Sequence, residues 1–326
     1  METEVALRKL GYSGLMVSPI GLGCWQFSKR RGLSGKYWGM LDDNGIARIV
    51  EESLKGGINW FDTAEVYGWG ESEKALSNAL KKCGKSYNEI IVATKWWPVF
   101  RTAPSITRTI GKRLEALKTN CIDLYQIHNP FSFSSIQSEI KAMAELVKEG
   151  KIRYVGVSNF SAKQMVRAHS ELSKYGQGLV SNQVSYSLLN RKIESNGILH
   201  AAKDLDITII AHSPLARGLL TGKFHDNPDL IRIREGFRKY TSPFKREGLE
   251  KSRPVIDALR DLSVKYGVSA PQIALNWLIN FNGSSVVAIP GATSVEQAKN
   301  NTDSMRFTLS KKDLDHLDMV SSQFKS

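Results

Sequence analysis

Two patterns of hydrophobic and polar positions alternate along most of the chain. Short apolar runs end in a polar or ionisable residue, and each is followed by a longer stretch with apolar positions at helical spacing. Strands that are apolar throughout and are separated by amphipathic helices indicate a parallel sheet covered on both faces. Eight units favour a closed barrel, and the predicted strands are residues 19–25, 59–64, 89–95, 122–128, 153–159, 179–186, 207–213 and 285–290.

The predicted helices follow the strands closely, so the chain contains no linker and we expect a single domain over residues 1–326. A hairpin at 7–18 would cover one end of the barrel, and an amphipathic helix at 311–320 would end the fold. Residues 215–251 form a long basic segment without a regular pattern, and a loop of this length predicts a functional role. The helices are predicted at 43–55, 71–82, 104–118, 135–148, 161–174, 195–205, 253–266, 271–280 and from 295 onwards.

Ionisable residues end three neighbouring predicted strands. Asp62, Lys95 and His128 end the second, third and fourth strands, and Tyr67 follows Asp62 by five positions. In a parallel barrel these ends meet at one rim, where such folds keep their chemistry. A lysine cation lowers the pKa of a nearby phenol, a carboxylate fixes the lysine, and a histidine can orient a carbonyl. The set predicts proton donation to a carbonyl that receives a hydride.

The segments that carry these residues resemble, in the same order, the catalytic blocks of the aldo-keto reductases. They are Asp-Thr-Ala-Glu-Val-Tyr-Gly at 62–68, Ala-Thr-Lys at 93–95 and Asp-Leu-Tyr-Gln-Ile-His at 123–128. The resemblance runs from the hairpin to the last helix. It implies a (β/α)8 TIM barrel that reduces aldehydes or ketones with NADPH. Tyr67 would be the general acid, tuned by Lys95 and Asp62, and His128 would orient the carbonyl.

The same resemblance implies a cofactor site along the rim. Ser158, Asn159 and Gln183 would bind the nicotinamide carboxamide, residues 213–218 would wrap the pyrophosphate, and residues 289–294 would lie by the adenosine 2′-phosphate. The residues expected at the cofactor are Gly23, Cys24, Trp25, Asp62, Ser158, Asn159, Gln183, His212, Ser213, Pro214, Leu215, Arg217, Gly218, Lys223, Arg238, Pro290, Gly291, Thr293, Ser294, Gln297, Asn300 and Asn301.

Two positions depart from the family pattern. His212 stands where the family usually has an aromatic residue that stacks on the nicotinamide, and an imidazole has a smaller face and a variable charge. Residues 291–297 contain no Lys or Arg, although many relatives have one there. Arg238, in the basic segment around 232–246, is therefore expected to supply the positive charge. On this basis NADPH is favoured over NADH.

Aromatic residues follow the candidate catalytic strand ends. They would form the wall of a substrate pocket suited to small aldehydes and ketones with an apolar or aromatic body. The predicted pocket residues are Trp25, Trp69, Trp96, Trp97 and Phe131.

Charge and cysteine content indicate which binding partners and which cellular compartment to expect. The net charge of +13 is compatible with an anionic ligand. The basic residues are mostly scattered along the chain and form no nucleic-acid-binding motif. The three cysteines are far apart and form no Cys-x-x-Cys pair, which favours a reducing compartment. Neither a membrane span nor a signal-peptide pattern is present, so a cytoplasmic location without membrane partners is expected.

Two other readings of the barrel remain. The same fold resembles the cytoplasmic β subunits of potassium channels, which bind the cofactor and turn over slowly, although no N-terminal inactivating segment is visible and the four catalytic positions are complete. A barrel enzyme with a metal or a phosphorylated substrate ranks last, because no His/carboxylate cluster has metal-ligand spacing. The sequence leaves the physiological substrate and the oligomeric state open.

Overall fold

The computed structural model describes residues 5–29, 40–87, 89–233 and 240–326. Arg8–Lys9 (β1) pairs antiparallel with Met16–Val17 (β2), which confirms the predicted hairpin. Eight parallel strands then lie side by side in the order of the sequence. They are β3 Leu22–Gly23, β4 Trp60–Asp62, β5 Ile91–Trp96, β6 Ile122–Ile127, β7 Ile152–Ser158, β8 Leu179–Ser185, β9 Thr208–His212 and β10 Val286–Ala288.

Backbone contacts between the first and last of these strands close the barrel. The N–H of Gly21 donates to the carbonyl of Ala288 (2.8 Å), and the N–H of Gly23 donates to that of Pro290 (3.0 Å). Gly23 is required here because an added Cβ would lie 2.8 Å from the carbonyl oxygen of Ile289. The predicted eight-stranded barrel is confirmed.

The helices surround the strands, and several of them begin at a capping side chain. Asp42, Ser135, Ser161 and Ser310 each accept a backbone N–H of the first turn that follows, which satisfies a donor that the helix cannot pair. The helices are α1 Asp43–Lys55, α2 Glu71–Lys82, α3 Pro104–Leu117, α4 Ile136–Lys148, α5 Ala162–Ser173, α6 Ile198–Asp204, α7 Lys223–Asp226, α8 Asp229–Arg232, α9 Arg246–Tyr266, α10 Ala270–Asn280, α11 Val295–Asp303 and α12 Lys311–Val320.

The prediction for residues 215–251 was wrong in one respect. Short helical turns occupy 216–221 and 242–244, α7 and α8 lie between them, and α9 begins at Arg246, seven residues before the predicted start at 253. Pro254, one residue after the predicted start, lies inside α9. Leu249 packs into a small apolar cluster with Phe224 and Phe244, and this tertiary contact extends the helix past the local signal.

The hairpin seals the barrel at the end where the strands begin. Leu10 and Leu15 pack against Trp60 and Leu124, which point into the barrel interior. The indole N–H of Trp60 also donates to the carbonyl of Ser18 (2.9 Å). The opposite rim, at the carboxyl ends of the strands, stays open. No helix in the described ranges is long and apolar enough to cross a membrane.

Candidate active site

A buried ion pair lies just below the open rim. The ammonium of Lys95 is 2.5 Å from Oδ1 of Asp62 and donates to the carbonyl of Thr63 (2.8 Å). The other oxygen of Asp62 accepts from the side-chain amides of Gln126 (3.2 Å) and Gln183 (2.8 Å). The carboxylate therefore has a partner for each oxygen, which burial of a charge requires.

Burial and charge act on Lys95 in opposite directions. Desolvation lowers the pKa of Lys95, because the side chain has no exposed surface, and the negative charge of Asp62 opposes that shift. The predicted Lys–Asp pair is thus present, with its partners fixed by neighbouring strands.

The phenol ring of Tyr67 lies directly above this pair. The Lys95 ammonium is 5.3 Å from the centre of the Tyr67 ring, and Trp25 stacks on that ring at 5.8 Å and 20°. His128 meets Tyr67 edge-on, with ring centres 5.7 Å apart. The structure therefore brings together the four side chains that sequence reasoning selected as catalytic.

His128 is held in an uncharged form. Burial lowers its pKa well below the usual value, and the nearby charge of Lys95 acts in the same direction. Trp97 packs edge-on against its ring at 5.2 Å. The buried Nδ1 of His128 has no hydrogen-bond partner among the described residues, so this imidazole retains a free hydrogen-bonding position in the cleft.

Asn159 and His212 form a polar cluster beside His128. The amide nitrogen of Asn159 donates to the carbonyl of His128 (3.1 Å) and to the hydroxyl of Ser158 (3.0 Å), and its oxygen lies 3.2 Å from Nε2 of His212. Burial is the main cause that lowers the pKa of His212 to about 4, with Lys95 and Arg217 adding to it. At neutral pH His212 presents an uncharged ring.

A cleft of about 1170 Å³ runs along this rim. The sequence predicted a set of cofactor-binding residues. All of them that lie in the described part of the chain line this cleft, with one exception. The exception is Ser294, which is exposed and caps α11 through the N–H of Gln297 (3.2 Å). Arg238 lies outside the described residues.

Left-handed backbone is concentrated in one segment of the cleft wall. Ser213, Ala216 and Arg217 have φ values of 54°, 47° and 58°, and Gly218 follows at 94°. A non-glycine residue in this region costs about 1–3 kcal/mol, and such strain is typical of binding segments. The segment that resembles a pyrophosphate-binding loop is thus held in an unusual conformation.

The predicted substrate wall is only partly confirmed in position. Trp25 and Trp97 line the cleft. Trp96 does not, because side chains alternate along a strand: Lys95 points inward, and Trp96 points outward into the core, where its N–H donates to Ser105. Trp69 and Phe131 are 58% and 69% exposed on rim loops outside the cleft lining.

Sequence reasoning missed several residues around the site. Gln126 holds Asp62, and its position two residues before His128 on β6, where every second side chain points inward, could have revealed it. Glu65, on the loop before Tyr67, was also missed, because its partners Arg101 and Arg113 lie far from it in sequence. The cleft is also lined by Gln26, Met40, Leu41, Val66, Thr221, Phe224, Leu230, Ile233, Pro271 and Ile289, which carry no recognisable motif.

A closed parallel barrel whose rim gathers a buried lysine–aspartate pair, a tyrosine and a neutral histidine in an open cleft has the architecture of a barrel enzyme. The model described as the aldo/keto reductase family matches residues 19–322. The chain belongs to the aldo/keto reductase family, whose members named below are oxidoreductases.

Individual relatives agree with this assignment. An uncharacterized oxidoreductase of Mycobacterium tuberculosis is 37% identical over 312 residues, which cover 95% of this chain and 91% of the relative. The chloroplastic pyridoxal reductase of Arabidopsis thaliana is 32% identical over 93% of this chain and 82% of its own. The solved glycerol dehydrogenase of Gluconobacter oxydans is 28% identical with a TM-score of 0.82, covering 98% of this chain and 96% of its own.

Proposed function

We propose that this protein reduces small aldehydes and ketones to alcohols with NADPH, and that Tyr67 donates the proton. The observation that carries the proposal is the position of the Tyr67 ring over the buried Lys95–Asp62 pair, beside a neutral His128, in an open cleft. A proton donor next to a cation, facing a hydrogen-bonding imidazole, is the arrangement that protonation of a carbonyl oxygen needs.

Each of the four side chains has a distinct role. Tyr67 gives its phenolic proton to the carbonyl oxygen, and the Lys95 cation stabilises the phenolate that remains. Asp62 holds Lys95 in place and offsets the cost of burying its charge. The uncharged ring of His128 donates a hydrogen bond to the same oxygen and orients the carbonyl.

The cleft is suited to an extended nicotinamide dinucleotide, which supplies a hydride when bound. Gly291 leaves room in the cleft wall for the side-chain amide of Gln26, because an added Cβ would lie 2.1 Å from its nitrogen. Ser158 and Asn159 line the cleft where a carboxamide would lie, and their side-chain oxygens can accept hydrogen bonds from it. Arg217 and Lys223 place positive charge where a pyrophosphate would lie.

The preference for NADPH depends on the far end of the cleft. Thr293, Gln297 and Asn300 line it there, and Gln297 accepts from the backbone N–H of Thr293 (2.9 Å). Lys299 on the same helix is already paired with Asp303 (2.6 Å). We propose that polar side chains of this end, together with Arg238, receive the 2′-phosphate.

The substrate class is proposed from the cleft wall and from the relatives. Trp25 and Trp97 flank Tyr67 and His128 with flat apolar surfaces, which suits a carbonyl on an aromatic or apolar body. The Arabidopsis relative is named for reduction of pyridoxal, an aldehyde on an aromatic ring. Aromatic aldehydes are therefore the first substrates to test.

The test is a fluorescence titration with NADPH and, separately, NADH, followed by NADPH consumption with a panel of aromatic aldehydes and ketones. Trp25 and Trp97 lie in the cleft and should report binding. We expect NADPH to bind at least about tenfold more tightly than NADH, equivalent to about 1.4 kcal/mol. Equal binding would remove the assigned NADPH preference, and absence of binding or turnover with every compound would contradict the proposed function.

A further inference from the structure

A network of buried ion pairs lies beneath the rim loop that carries Tyr67. Glu65, two residues before Tyr67, accepts hydrogen bonds from the guanidinium groups of Arg101 and Arg113, the latter at 2.7 Å. Arg113 also forms an ion pair with Glu73 of α2 (2.8 Å). Two carboxylates and two guanidinium groups thus meet below the loop, each from a different part of the chain.

Little of this network reaches solvent. The side chains of Glu65, Glu73, Arg113 and Arg101 are 6%, 0%, 10% and 24% exposed. Screening by water is weak at such sites, and removal of one partner leaves an uncompensated buried charge. The network therefore fixes the relative position of the elements from which its members come.

Glu65 also extends the hydrogen bonding of β5 beyond the end of the strand. Its backbone N–H donates to the carbonyl of Lys95 (3.2 Å), and its carboxylate accepts the backbone N–H of Trp97 (3.0 Å). One residue thus bonds to the backbone on both sides of Trp96. The loop before Tyr67 is joined directly to the strand end that carries Lys95.

The two loops that Glu65 joins carry Tyr67 and Trp97, and both of these side chains contact the imidazole ring of His128. Tyr67 and Trp97 both pack edge-on against His128, with ring centres 5.7 Å and 5.2 Å away. The N–H of Tyr67 closes a tight turn by donating to the carbonyl of Ala64 (3.0 Å), so a shift of Glu65 is transmitted to Tyr67. Both aromatic neighbours of His128 therefore depend on the position of Glu65.

We propose that Glu65 is a positioning residue that clamps the Tyr67 loop to the Trp97 loop, so that Tyr67, Lys95 and Trp97 keep their places in the site. The effect on turnover rests on the proposed function, whereas the clamp is a property of the fold. Misplacement of a reacting group by about 1 Å can reduce the rate about 100-fold, so a residue that touches no substrate can govern turnover.

The test uses Glu65→Gln in the full chain, with Asp123→Asn as a matched control. Asp123 makes the same kinds of contact at the opposite end of β5: its carboxylate accepts the backbone N–H of Val92 (3.0 Å) and pairs with Arg153 (2.8 Å). Both variants remove one largely buried carboxylate charge that accepts a strand N–H and pairs with arginine, although Glu65 pairs with two guanidinium groups and Asp123 with one. Only Glu65 lies next to Tyr67.

Three quantities are measured: kcat for an aromatic aldehyde, the NADPH dissociation constant, and backbone hydrogen exchange at residues 63–70 and 97–103. For Glu65→Gln we expect kcat to fall about 10- to 100-fold, with the NADPH dissociation constant changed less than about threefold. Exchange should accelerate in both segments together. Asp123→Asn should also lose thermal stability, but it should keep the parental kcat and leave exchange in both segments unchanged.

Two results would overturn the proposal: equal losses of kcat in the two variants, or unchanged exchange in the two segments of Glu65→Gln. If Glu65→Gln does not fold, Arg101→Met replaces it, because Arg101 lies at the outer edge of the network, and faster exchange in both segments is again expected. Hydrogen exchange needs no turnover. A parent protein that reduces no carbonyl would therefore contradict the proposed function, while exchange would still decide the clamp.

Discussion

Lys95 occupies a position where burial and charge oppose each other. Burial lowers its pKa, whereas Asp62 at 2.5 Å favours the charged form. Gln126 and Gln183 bond to the other oxygen of Asp62, so the carboxylate is oriented before a substrate arrives. Asp62 and the two glutamine side chains that hold it thus determine the charge beside the Tyr67 ring.

His212 gives a prediction for the pH dependence of stability. Its pKa in the folded protein is about 4, against an ordinary value near 6.5, so the unfolded chain binds more protons between these values. Lowering the pH from about 7 to about 5 should therefore destabilise the parent, relative to His212→Phe, by about 2 kcal/mol. Urea unfolding of both proteins at the two pH values measures this difference. If the difference between the parent and His212→Phe does not grow as the pH falls, the described burial of His212 is contradicted.

At the scale of elements, the hydrophobic pattern predicted the strands and helices whose apolar positions repeat regularly. All eight strands lie within or close to the predicted ranges, although β3 covers only Leu22–Gly23 of the predicted 19–25. The helices at 43–55, 71–82 and 311–320 have the predicted bounds, because each buries a regular apolar face. The start of α9 was missed because contacts of Leu249 with residues distant in the chain, rather than local sequence, set it. Tertiary packing of this kind is invisible to a periodicity argument.

The same distinction applies to the site: residues at strand ends could be predicted, whereas contacts between distant parts of the chain could not. Asp62, Lys95 and His128 were predictable because strand ends in a barrel share a rim. Trp96 was placed in the pocket by its proximity to Lys95 in sequence, although alternation along β5 turns it outward. The partners of Glu65 are Arg101, on the loop before α3, and Arg113, in α3. No spacing pattern in the sequence predicts these contacts.

The hairpin provides a prediction at this scale. Leu10 has no exposed surface and packs into the barrel end opposite the cleft. Leu10→Ala should cost about 2–5 kcal/mol of the free energy of unfolding, because it removes buried methyl groups and leaves a cavity. Urea unfolding measures the loss, and NADPH titration should show parental affinity.

Met16 is the matched control in the same hairpin, since it is 45% exposed. Met16→Ala should change stability by less than about 0.5 kcal/mol. Equal effects of the two substitutions, or weakened NADPH binding by Leu10→Ala, would contradict the separation between the sealed end of the barrel and the cleft.

At the scale of the whole molecule, the barrel separates stability from chemistry. The hairpin and its apolar cluster close one end, and the ionisable residues gather at the other. The chain carries a net charge of +13, and Arg217 and Lys223 bring positive charge into the cleft wall. Such a field favours the approach of an anionic cofactor, and its effect weakens as ionic strength rises.

The central claim is that the Tyr67 hydroxyl is the proton donor in a reduction driven by NADPH. The most direct measurement compares single-turnover NADPH consumption, with saturating aromatic aldehyde, in the parent and in Tyr67→Phe. We predict that the rate in Tyr67→Phe falls by about 10²- to 10⁴-fold while the NADPH dissociation constant stays close to that of the parent. A variant that reduces the aldehyde as fast as the parent would contradict the claim.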